Sequence, residues 1–143
     1  MIVKMRNNRA RSFVTIMIII GIFSLILRVA IEQIIKINIA RNESDASATL
    51  KLLSTALENY AQNNHGVFPQ NIAVLTQSRP AYLDKDYVVS SPMKGYNYSC
   101  PRIEPSGYSC YASPTRCKLS GNMVYIITSG GLLVSEECSR KEQ

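Results

Sequence analysis

Four cysteines are the residues best suited to covalent chemistry. Cys100, Cys110, Cys117 and Cys138 all lie in the last third of the 143-residue chain. Their number is even and no two share a CxxC spacing, which points to disulfides rather than a zinc site. Disulfides persist in oxidising compartments, so this part of the chain is expected outside the cytoplasm. Cys100 and Cys110 stand symmetrically about Pro105. A hairpin there would set them opposite one another and leave Cys117 for Cys138, one of the three connectivities that four cysteines allow.

Other candidates for chemistry are sparse. Asp84 and Asp86 could face one side of an extended segment as paired carboxylates or hard-cation ligands. Neither a third ligand nor a general base accompanies them, so a solvated loop is expected. The chain has one histidine, His65, no tryptophan and no glycine-rich phosphate loop. No enzyme is expected, and no catalytic residue, cofactor or metal. Asn42-Glu43-Ser44 and Asn97-Tyr98-Ser99 match a glycosylation pattern that arises easily by chance. Tyr82, Tyr87, Tyr96, Tyr98, Tyr108 and Tyr111 could form a contact surface, but in a small sheet such rings more often face the core or a cross-strand neighbour.

The elements that must carry these residues begin with a membrane anchor. Residues 1–41 hold seven basic groups and one acid, whereas residues 42–143 hold nine of each. The basic excess therefore surrounds an apolar run and indicates membrane topology; no nucleic acid partner is expected. Residues 12–27 form a sixteen-residue stretch without a charge. As a helix it spans about 24 Å, short of the roughly 30 Å hydrocarbon core. Arg28 can extend its stem to the far interface while Val29, Ala30 and Ile31 continue the apolar surface. Basic residues on both flanks give the inside N-terminus only a slight preference, and the cysteines strengthen it. A signal peptide would need a small-x-small cleavage site just after Leu27, and none is there.

From Phe13 to Asn64 there is no proline, and Gly21 is the only glycine, so one long helix is expected. In its second half Ala46, Leu50, Leu53, Leu57 and Tyr60 share one face, with Lys51, Thr55, Glu58 and Gln62 opposite. Between the halves Arg28, Glu32 and Lys36 are spaced by four, and Glu32 ahead of Lys36 is the favourable pairing order. Residues 63–66 with Pro69 stop the helix, Gly66 supplying a left-handed cap and His65 serving as loop. A helical turn is expected at 71–76 and a loop at 79–86. Strands are expected at 96–100, 108–112, 123–128 and 132–135, with turns at 101–107 and at Ser129-Gly130-Gly131. This is an α+β fold, the helix covering an antiparallel meander of three or four strands.

Nearly the whole chain resembles the type IV pilin and type II secretion pseudopilin superfamily. The residues that carry the likeness are 9–17 at the start of the apolar run, Ala56-Leu57-Glu58-Asn59-Tyr60 with His65-Gly66-Val67-Phe68-Pro69 at the helix end, and Leu75 with Tyr82-Leu83 after it. Tyr96-Asn97-Tyr98, Tyr111-Ala112-Ser113-Pro114 and residues 123–133 are similar to the pseudopilin strand motifs. The resemblance implies a pilin-like fold in which residues 1–12 are a basic cytoplasmic leader and 13–31 the membrane half of the helix. Residues 32–64 are then its extramembrane half, and 65–143 a periplasmic or extracellular head. It further implies a prepilin peptidase acting between Ser12 and Phe13, although Ser12 stands where the family has glycine. Met17 stands where the family usually has a glutamate that pairs with a neighbouring subunit's amine. Register without that pair would rest on apolar packing, as in a minor or divergent subunit. The implied role is a structural subunit of a type II secretion or type IV pilus-like filament. Its partners would be other pilin-like subunits, membrane lipid and an inner-membrane assembly platform. The alternative is a non-polymerising single-pass membrane protein that displays a small periplasmic binding domain.

Overall fold

The computed structural model describes residues 8–139, with side chains from Ser12 onward. The leader bases Lys4, Arg6, Arg9 and Arg11 lie outside the described side chains. A single helix, α1, runs over Asn8–Asn63. Without proline, nothing inside it removes a backbone donor. Two compact units divide the chain, the first ending at Ile37 and the second beginning at Asn38.

Over residues 13–27 α1 carries no charge and is exposed on every side, from Phe13 at 64% to Leu25 at 67%. This helix is long and apolar enough to cross a bilayer once. Arg28 Nε lies 3.7 Å from Glu32 Oε1. Glu32 thus pairs back to Arg28 rather than forward to Lys36, and the exposure of both side chains makes the pair worth little.

In the second unit α1 packs over a sheet. Ala46, Leu50, Leu53 and Leu57 are fully or almost fully buried, joined by Ala56 and Ala61. A short helix, α2 (Ala73–Gln77), inserts Leu75 into the same core. The strands are β1 (Tyr96–Glu104), β2 (Gly107–Pro114), β3 (Met123–Thr128) and β4 (Leu132–Glu137). They form an antiparallel meander in the order β1-β2-β3-β4. Tyr96 and Tyr98 on β1, Tyr108, Cys110 and Ala112 on β2, and Ile127 on β3 are buried in the core they share with α1.

Two local differences from the sequence expectation have simple causes. The expected turn over 101–107 shrinks to Pro105-Ser106, because Glu104 pairs with Gly107. The register slips between Ser99 and Arg102, so Cys100 and Pro101 together oppose Cys110. This is a β-bulge, which lets a strand lodge a proline that could not serve a regular ladder. At the end of α1, Gly66 N–H donates to Ala61 O at 2.8 Å, the outer bond of a Schellman cap. Counting back, the left-handed cap position is His65 (φ 57°), with Gly66 following at φ 82°.

Candidate functional site

Two surfaces of the helix are candidates for function, the exposed apolar run and the seam with the sheet. On the first, Ser12 and Phe13 begin the described side chains, and both are exposed. Met17 is 57% exposed, one turn further on. Around them α1 offers no acid until Glu32, so this segment presents a mainly apolar surface with which to bind. Ser24 donates its hydroxyl to Ile20 O at 2.8 Å, so its proton is already used within the helix.

The seam is built from the leucine stripe and a set of polar ties. Leu50, Leu53 and Leu57 have no exposed surface. Tyr60 is half-buried, its ring edge-on to Tyr82 at 5.6 Å. Ser54 interrupts the apolar stripe and is buried. Its oxygen lies 2.7 Å from the Tyr108 hydroxyl, which donates to Glu58 Oε1 at 3.1 Å. Tyr108 has one proton to give, so Ser54 donates to Tyr108. Glu58 Oε1 also accepts the Gly130 N–H at 2.7 Å. Glu58, expected on the water side, therefore turns to the tip of the β3–β4 hairpin. Burial, with the Glu58 carboxylate beside it, pushes the Tyr108 pKa up to about 12. The Tyr96 hydroxyl is raised further, again chiefly by burial, and donates to Met123 O at 2.8 Å.

Nearer the start of the second unit, three more polar side chains hold α1 to the head. Asn42 Nδ2 donates to Ser120 O at 2.9 Å, and Glu43 Oε1 accepts the Asn122 N–H at 2.7 Å. Asp45 pairs with Lys94 at 2.9 Å. Sequence reasoning missed Asn42, Glu43, Asp45, Ser54 and Glu58 as contacts. The available signal was polar residues crowded beside, or inside, an otherwise apolar helical stripe.

The cysteines form two disulfides, Cys100–Cys110 and Cys117–Cys138. The first staples β1 to β2 at the bulge. The second ties the chain after β4 to the loop that Asn42 and Glu43 also hold. Asp84 and Asp86 are both occupied locally: Asp84 Oδ1 accepts the Tyr87 hydroxyl at 2.9 Å, and Asp86 Oδ1 caps the Val88 and Val89 N–H groups. Of the seven tyrosines in the head, Tyr87, Tyr96, Tyr98 and Tyr108 are buried, Tyr82 and Tyr125 are half-buried and Tyr111 is 36% exposed, so the rings form no single exposed patch. A cleft of about 420 Å³ between α1 and the 85–94 segment contains two lysines. Lys94 is taken by Asp45 and Lys85 lies over the Tyr87 ring.

No protein-family model matches the chain, and no curated protein does either. Among solved structures, the chain is similar to the non-core minor pilin PilV of Neisseria meningitidis, at 15% sequence identity and a TM-score of 0.41, over 75% of this chain and 94% of that one. So slight a likeness carries no argument for function. The fold, one long N-terminal helix over a four-stranded antiparallel sheet, is pilin-like in its own right.

Proposed function

We propose that the chain is a membrane-anchored, pilin-like structural subunit of a type II secretion or type IV pilus-like filament. One observation carries this: within a single helix, an apolar segment exposed on all sides continues into one buried on a disulfide-bonded sheet. A helix apolar all round is stable in lipid or among similar helices. The subunit would perform no bond chemistry. It would be stored in the bacterial inner membrane with its head in the periplasm, and would enter a filament through residues 13–31 when an assembly platform acts on it. Its partners would be lipid, other pilin-like subunits and that platform, with a prepilin peptidase cutting between Ser12 and Phe13. Met17 supplies no carboxylate to a neighbour's amine, so docking would rest on shape, as suits a minor component.

Photocrosslinkers placed at Met17, Ile20 and Phe23 in the native membrane test the proposal. Adducts with pilin-like subunits or platform proteins are expected. Adducts with lipid alone at all three positions, with secretion and surface filaments unchanged in a deletion strain, would rule it out. Intact-mass spectrometry of the extracted protein reads the processing step separately, expecting a chain that begins at Phe13.

A further inference from the structure

The two edges of the sheet are treated differently. Along β1 the preceding segment lies against the strand: Met93 and Tyr96 exchange backbone bonds at 2.8 and 3.0 Å, and Tyr98 N–H donates to Ser91 Oγ at 2.8 Å. The bulge at Pro101 interrupts the remainder. Among the described residues, the sheet has no further strand beyond β4. Cys138 N–H donates to Asn122 O, and β3 and β4 stay in register from Met123↔Glu137 to Thr128↔Leu132. Antiparallel pairs alternate, so residues 132, 134 and 136 bond to β3, whereas Leu133, Ser135 and Glu137 turn their backbone groups outward. Beside that free row stand Leu132, 64% exposed, and Val134, 46% exposed. At its far end Glu136 and Glu137 are exposed and make no salt bridge among the described residues.

We propose that β4 accepts an extended segment of another protein as an added antiparallel strand, apolar at alternate positions and carrying Lys or Arg at its N-terminal end. Backbone bonds to Leu133, Ser135 and Glu137 would provide the attachment, and side chains beside Leu132 and Val134 the apolar contact. Antiparallel entry sets the N-terminal end of the segment against Glu136 and Glu137, which is why the bases belong there. A second copy of this chain is a poor occupant, because its β1 is covered and its β4 has no Lys or Arg at its N-terminal end to meet Glu136 and Glu137. The proposal holds whether or not α1 polymerises.

The probe is a labelled hexapeptide, Lys-Lys-Thr-Val-Thr-Val, added to the full chain in detergent micelles. Fluorescence anisotropy should show salt-sensitive binding, and hydrogen exchange should slow at the Leu133, Ser135 and Glu137 amides. The reversed peptide, with its lysines last, should bind about tenfold more weakly. Ser135→Pro removes an outward N–H without touching the β3 ladder and should abolish binding while the melting curve stays native. A Glu136→Gln/Glu137→Gln double variant keeps every backbone group and should weaken binding about tenfold. Unchanged affinity in that double variant, protection at other amides, or self-association that Ser135→Pro abolishes would each overturn the proposal. The double variant decides alone should the proline variant fail to fold.

Discussion

At the scale of single residues, the seam is decided by a few atoms that cannot move. A Cβ on Gly121 would fall onto the Tyr96 ring and hydroxyl, and Tyr96 is fully buried with its hydroxyl bonded to Met123 O. Gly121→Ala is therefore expected to destabilise the head by about 1–3 kcal/mol through overpacking, read from urea unfolding at constant m-value. The tyrosines also set a pH limit. Tyr108 ionises near pH 10 when unfolded, and in the fold its pKa rises to about 12. A raised folded-state pKa means the native state holds the proton longer. Its stabilisation is complete below pH 10 and is lost as pH climbs from there towards 12. Unfolding monitored by circular dichroism should thus move to lower denaturant concentration above pH 10, and phenolate absorbance should rise together with unfolding. Tyr108→Phe should reduce that dependence.

At the scale of elements, the second half of α1 is held by its leucine stripe and registered by its polar ties. Leu53→Ala removes a side chain with no exposed surface and should cost about 2–5 kcal/mol. Lys51→Ala, on the exposed side of the same helix, should stay within about 0.5 kcal/mol of the parent. The contrast between them checks which face is covered. Much of this pattern was legible in the chain, since a period near 3.6 places Ala46, Leu50, Leu53 and Leu57 on one stripe whatever they meet. The bond from Glu58 to Gly130 was not legible. A glutamate on the flank of such a stripe reads as solvated until the hairpin tip that comes to meet it is known. Pro101 was hidden for a related reason: it looked like the start of a turn, whereas the bulge opposite Cys110 absorbs it within β1.

At the scale of the whole molecule, two disulfides and a thin core share the stabilisation of the head. The loops they close are 10 and 21 residues in separation. Chain-entropy arguments assign about 3 kcal/mol to each, the longer loop somewhat more. Replacing Cys117 and Cys138 together by serine should therefore lower the urea midpoint, and replacing Cys100 and Cys110 should lower it further, because Cys110 is also buried in the core. The second unit begins at Asn38, so a chain starting there should fold as a soluble domain with both disulfides, as judged by mass spectrometry and hydrogen exchange. From the sequence alone came the long helix, its apolar first half, its two-faced second half, the glycine hairpin after β3 and an even set of cysteines. Each depends on composition or on short-range periodicity, which are local properties. Tertiary structure alone decided the roles of Asn42, Glu43, Ser54 and Glu58, the cover over β1 and, among the described residues, the bare edge of β4. Those features rest on which distant backbone groups arrive opposite a side chain, and long-range register carries no local signature.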